Sequence, residues 1–137
     1  MASFVSTNGY VSINSVDLSD HARSVNLTVE VDEQDNTAHG GGGYRSFLGG
    51  LKQWSVEIEW NQDFAASEVD ATLWPLLGTS TTIAVRADSG AISATNPEYT
   101  GSSILTNYPI LDGAVGDVAT VSTTHRGTGA LTRDTTP

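Results

Sequence analysis

Two stretches of this chain alternate apolar and polar residues with a period of two. From Val25 to Asp32, Val25, Leu27, Val29 and Val31 interleave with Asn26, Thr28, Glu30 and Asp32. From Trp54 to Asn61, Trp54, Val56, Ile58 and Trp60 interleave with Ser55, Glu57, Glu59 and Asn61. Side chains in a strand point alternately to opposite faces, so each run predicts a strand with one buried and one wet face. Strands buried on one face only pair antiparallel, because parallel strands are covered on both faces. Both Trp54 and Trp60 fall on the side expected to be core.

The rest of the chain agrees with a β-rich domain. At 137 residues the length fits a single domain, expected to span 1–137. Only 38% of residues are hydrophobic, and Gly, Ser and Thr are abundant. That composition suits short strands joined by turns, a thin sandwich or barrel, better than a helical bundle. Further strands are expected at Tyr10–Val16, Thr81–Ala87, Ser102–Tyr108 and Val118–His125. They are bounded by turn chemistry such as Asn96-Pro97, Asp112-Gly113 and Gly116-Asp117. One helix is expected from Ser67 to Trp74. Ser67 would cap it, Glu68 and Asp70 would favour its positive end, and Val69, Leu73, Leu76 and Leu77 would share one face. Pro75 then forces a kink or tighter turn that ends at Gly78, giving a helical segment of about 67–77.

The segment from Glu33 to Gly50 breaks this pattern. It has almost no periodicity and contains Gly40, Gly41, Gly42 and Gly43 in a row. A long structureless loop inside a compact domain is usually functional, and four glycines are costly to order. Tyr44, Phe47 and Leu48 put apolar side chains on this loop. They are expected to dock, either on the protein's own body or on something outside it.

Motifs for catalysis or ligand binding are lacking. Without cysteine there are no disulfides, thiolate metal sites or cysteine nucleophiles. His39 followed by four glycines resembles a lipase oxyanion segment, but the chain has no G-x-S-x-G elbow to accompany it. Neither a Walker loop nor a dinucleotide fingerprint occurs. His21, His39 and His125 all lie in polar or strand-end contexts, where solvated imidazoles are expected and no zinc site is. The acidic group Asp32, Glu33 and Asp35 lacks EF-hand spacing. Glu57 and Glu59 stand roughly 7 Å apart on one wet strand face, an ordinary arrangement for a solvated strand. No catalytic residue, metal or cofactor is therefore expected. Sixteen acids against six bases give a net charge of -10, which favours solubility and repels nucleic acid and anionic membranes. Met1–Tyr10 has no signal-peptide pattern and no run of about 18 apolar residues occurs, so a soluble protein made in a cytoplasm is expected.

Three stretches, YVSINSVDLSDHARSV (Tyr10 to Val25), DFAASEVDATLWPLLGTSTTIAVRADSGAISATNPEYTG (Asp63 to Gly101) and GAVGDVATVSTTHRGTGALTR (Gly113 to Arg133), resemble tail tube (major tail) proteins of actinobacterial siphophages. The resemblance covers most of the chain apart from the Gly-rich loop. It implies a mainly β fold, an antiparallel β-sandwich or half-barrel with one flanking helix. It further implies a virion subunit made in the bacterial host cytoplasm. Hexameric rings would stack around a tape measure protein, between tail-tip and terminator proteins, into a conduit for genome DNA. The loop would then be the inter-subunit element, carried by His39, Gly40, Gly41, Gly42, Gly43, Tyr44, Arg45, Phe47 and Leu48, and ordered by the neighbouring ring. Acids such as Glu30, Glu57 and Glu59 would face the lumen and keep DNA from adhering.

Two other readings fit the residues less fully. A tail terminator, neck or capsid-decoration protein would share a related β fold at lower copy number. A glycan-binding β-sandwich would use an exposed Trp74 or Tyr99 to stack on a sugar.

Overall fold

A computed structural model describes residues 3–136. In chain order its strands are β1 (Tyr10–Ile13), β2 (Val16–Asp17), β3 (Ala22–Asp35), β4 (Phe47–Asn61), β5 (Ser80–Arg86), β6 (Glu98–Asn107), β7 (Thr120–Gly127) and β8 (Thr132–Asp134). A short helix, α1 (Val69–Leu73), runs into a single 3₁₀ turn (Trp74–Leu76) between β4 and β5. No helix among the described residues is long and apolar enough to cross a membrane.

All strands belong to one antiparallel sheet in the order β2-β1-β5-β6-β7-β4-β3, with β8 added beside β6. Strand β6 is the corner: residues 98–104 pair with β5, residues 103–107 with β7 and residues 98–100 with β8. Strands β1 and β4 have three strands between them in the sheet, yet Val11 and Ile13 share a core with Trp54, Val56, Ile58 and Trp60. The sheet therefore curls until its two ends face each other. This is a mainly β, antiparallel half-barrel, with the helix packed over the core through Val69 and Leu73.

The alternation in the second half of β4 sets the core as expected, with Trp54, Val56, Ile58 and Trp60 all buried. Burying side chains of this size supplies about 1.5–3 kcal/mol each, so this strand carries a large part of the hydrophobic driving force. Trp60 Nε1–H donates to Thr123 Oγ1 at 2.8 Å and Trp54 Nε1–H to the Gly129 carbonyl at 3.0 Å. Both indoles therefore keep their polar atom satisfied inside the protein.

Strand β3 departs from its expected burial. Its apolar residues Val25, Leu27, Val29 and Val31 do lie opposite Ile58, Val56, Trp54 and Lys52, on the core side of the sheet. Only Leu27 is packed against the core, whereas Val29 is 54% and Val31 50% exposed. The reason is position: β3 is the edge strand, and nothing among the described residues closes over its far half.

The Gly-rich segment is also more ordered than expected. Residues 33–35 and 47–50 are strand, so the loop between β3 and β4 covers residues 36–46 only. Gly49 and Gly50 are strand glycines beside an irregularity in register between Val31 and Glu33. A Cβ on Gly50 would stand 3.2 Å from Gln34 Cγ and 3.3 Å from the Asp32 carbonyl, so close cross-strand approach explains the glycine.

Two local expectations change. The first strand ends in a tight hairpin at Asn14-Ser15, where both residues have positive φ (52° and 66°) and Ile13 pairs with Val16. That is the backbone a two-residue hairpin loop requires, and asparagine tolerates it. Ser67 does not cap the helix; it has a φ of 65°, and Glu68 takes the cap position without a side-chain hydrogen bond. The helix is anchored instead by Tyr108, whose hydroxyl donates to Asp70 Oδ1 at 2.6 Å. Pro75 falls within the 3₁₀ turn that Trp74 begins, as expected of a residue that cannot continue an α-helix.

Candidate assembly interface

The Gly-rich segment forms the end of a long two-stranded arm. Strand β7 pairs with β4 only from Ser55 to Asn61, so residues 47–53 of β4 have β3 as their sole partner among the described residues. The arm's loop is closed by polar links: Asn36 N–H donates to the Ser46 carbonyl, and Ser46 N–H donates to Thr37 Oγ1 at 2.8 Å. Arg45 reaches Asp35 at 3.5 Å across the arm. Gly40, Gly42 and Gly43 have φ of 98°, 68° and 88°, conformations that a side chain there would strain.

This arm exposes what a free hairpin should bury. Tyr44 is 81%, Phe47 47%, Leu48 58% and Leu51 80% exposed, next to Val29 and Val31. An isolated two-stranded ribbon is marginal in water, and this one carries exposed apolar residues on both faces. His39 lies on the exposed loop with the glycines. The sequence-derived set from His39 to Leu48 thus gathers at one end of the molecule, away from the core.

The apolar side of β3 continues into an open groove of about 1140 Å³. Val25, Leu27 and Val29 line one wall; Tyr10, Val85 and Leu131 line the other. The groove is the seam at which the half-barrel fails to close. Arg86 spans part of it, stacked 4.0 Å above the Tyr10 ring and 3.4 Å from Glu98.

The opposite face of β3 and β4 is polar. Cross-strand register puts Glu30 beside Gln53, Asn26 beside Glu57 beside Thr124, and Ser24 beside Glu59 beside Ser122. Glu30, Glu57 and Glu59 therefore share one face, with Arg126 opposite Ser55 on the same side. Gln53 donates to Glu30 at 3.2 Å, and Arg23 pairs with Glu59 at 3.3 Å. Between these charged groups the face carries short polar side chains such as Asn26, Thr28, Ser55 and Ser122.

Two histidines are not the solvated residues the sequence suggested. His125 is fully buried, and its Nε2 lies 3.1 Å from Thr123 Oγ1 while Nδ1 has no partner. Burial pushes its pKa down to about 4. His21 is tucked among three carboxylates: its Nδ1 is 2.9 Å from Asp20 and 3.4 Å from Glu68, and its Nε2 is 2.9 Å from Asp63. Burial alone would lower its pKa, but the hydrogen bonds to Asp63 and Asp20 outweigh that and raise it. No sequence signal marked this cluster, because Asp63 and Glu68 are distant in the chain and reach His21 only through folding.

No family model and no curated protein matches the sequence. Solved structures do match in shape. A chain of the virion of a native gene transfer agent particle aligns with a TM-score of 0.74 at 15% identity, over 92% of this chain and 95% of that one. A chain of the SPP1 tail tube aligns at 0.68 and 9% identity, over 93% and 77%. This chain has the tail tube fold. A gene transfer agent tail with C6 symmetry aligns as well, at 0.65 and 17% identity, over 82% and 81%. At these identities the likeness is one of tail tube architecture: a curled antiparallel sheet with a small helix.

Proposed function

We propose that this chain is a non-enzymatic structural subunit of a phage-type tail tube. The observation that carries the reading is the β3–β4 arm, which projects apolar residues on a fold shared with the SPP1 tail tube. Six copies close into a ring, rings stack into a tube of the virion tail, and genome DNA leaves through the bore. The subunit encloses a tape measure protein and meets tail-tip and terminator proteins at the two ends of the tube. The family resemblance of the sequence and the C6 symmetry of the matching gene transfer agent tail favour this symmetry.

In this assembly the apolar stripe of β3 lies against the adjacent subunit of the same ring, because an unpaired strand edge with an exposed apolar face recruits another chain. The arm's loop, His39 to Leu48, bridges to the next ring. The polar face bearing Glu30, Glu57 and Glu59 lines the bore. Carboxylates there repel phosphates, and the short Ser, Thr and Asn side chains between them offer DNA no apolar or strongly basic hold.

Negative-stain electron microscopy of the concentrated protein, with and without a tail-tip initiator complex, tests the reading. Rings or tubes of uniform bore are expected. A protein that stays monomeric under both conditions overturns it.

A further inference from the structure

The cluster around His21 has a donor arrangement that the tube reading does not use. Asp20 and His21 precede β3, and Glu68 lies at the start of α1. Folding brings Asp20 Oδ1, His21 Nδ1 and Glu68 Oε2 within 4.8 Å of one another. The His21 nitrogen is 2.9 Å from the first carboxylate and 3.4 Å from the second. Ligands at about 2.0–2.2 Å from a common ion stand roughly 3 Å apart at right angles and about 3.5 Å apart at tetrahedral angles. Small rotations of two carboxylates suffice to reach either geometry.

The other ring nitrogen is occupied in the way a metal-bound imidazole usually is. His21 Nε2 lies 2.9 Å from Asp63 Oδ2, and Asp63 is itself held by the Ala65 N–H at 2.9 Å. A carboxylate on the far nitrogen fixes the orientation of the ring, so that Nδ1 faces Asp20 and Glu68; without metal it donates its proton to Asp20, and a bound ion takes that proton's place. Charge points the same way. Three carboxylates surround one imidazole, and among the described residues none of the three pairs with a lysine or arginine. Even a protonated imidazole leaves the group with an excess of negative charge, which a divalent cation offsets.

We propose that Asp20, His21 and Glu68 bind a divalent first-row transition metal ion, Zn²⁺ above all, with Asp63 as a positioning residue and water completing the shell. One imidazole nitrogen with two carboxylate oxygens suits such an ion better than Mg²⁺, which prefers all-oxygen shells. Asp20 is exposed enough to admit the ion, whereas His21 is largely covered. The bound ion ties the chain before β3 to the start of α1. The site is complete in one subunit, so it does not depend on tube assembly.

Titration calorimetry of the monomer with ZnCl₂ at about pH 8, where protons compete less with the metal for the imidazole than at lower pH, tests this. One ion per chain is expected, with a Tm rise of roughly 5–10 °C at a hundredfold excess over Kd. Glu68→Gln and His21→Gln should abolish both effects, and Asp63→Asn should weaken affinity about 10- to 100-fold. His39→Ala should bind as wild type. Should His21→Gln fail to fold, zinc-induced NMR shifts in the wild-type protein must centre on residues 20, 21 and 68. Absence of binding to the folded wild type overturns the proposal, and so does binding that survives Glu68→Gln or perturbs residues elsewhere.

Discussion

The indole of Trp54 occupies the space that a side chain on Gly127 would need. A Cβ added to Gly127 would overlap Cε2, Cδ2 and Nε1 of the Trp54 indole, and one on Gly101 would stand 2.6 Å from Trp54 Cζ2. Trp54 is 5% exposed and donates its N–H to the Gly129 carbonyl, so it has no free direction in which to yield. Gly127→Ala is therefore expected to destabilise the fold by about 1–3 kcal/mol through overpacking. A urea titration checks this, read as a lower midpoint at unchanged m-value. Unchanged stability would mean that the indole is not locked in this position.

His125 gives the protein an acid-sensitive core. In the unfolded chain its imidazole takes a proton near its ordinary value of 6.5, whereas burial holds the folded value at about 4. Above the upper value both states are neutral and stability is insensitive to this group. As pH falls between the two, the unfolded state binds the proton first, and stability drops by up to about 3 kcal/mol. His125→Leu removes that dependence. Comparing the pH profiles of the two proteins by chemical denaturation should show them diverging across this window and running parallel above it.

Deleting residues 38–47 should separate folding from assembly. The deleted segment contributes none of the buried core, so the monomer should keep its circular dichroism spectrum and lose less than about 1 kcal/mol of stability. Elongation into tubes should cease. Normal tubes from the deletion variant, seen by electron microscopy, would remove the arm's loop from the assembly mechanism.

Much of the fold was legible in the sequence because it is written in local periodicity. The alternation from Trp54 to Trp60 identified a strand and its buried face, and Pro75 marked where the helix gives way to a tighter turn. The glycine run marked the loop between β3 and β4, though not its limits. Gly49 and Gly50 read as loop residues, but they serve a close cross-strand approach that only the pairing partner reveals.

What the sequence by itself determined is the class of the structure: period-two strands, few large core residues and no assembled catalytic motif make a β-domain. Tertiary structure alone decided which alternating faces became interior. Val29 and Val31 have the same pattern as Val56 and Ile58, yet they remain exposed because β3 is an edge strand paired with β4 alone. The same holds for the histidines. His125 is buried, and His21 meets Asp63 and Glu68, because the curl of the sheet and the placement of α1 bring together residues far apart in the chain. Periodicity is a property of neighbouring residues, whereas burial and side-chain clusters depend on what the rest of the chain places beside them.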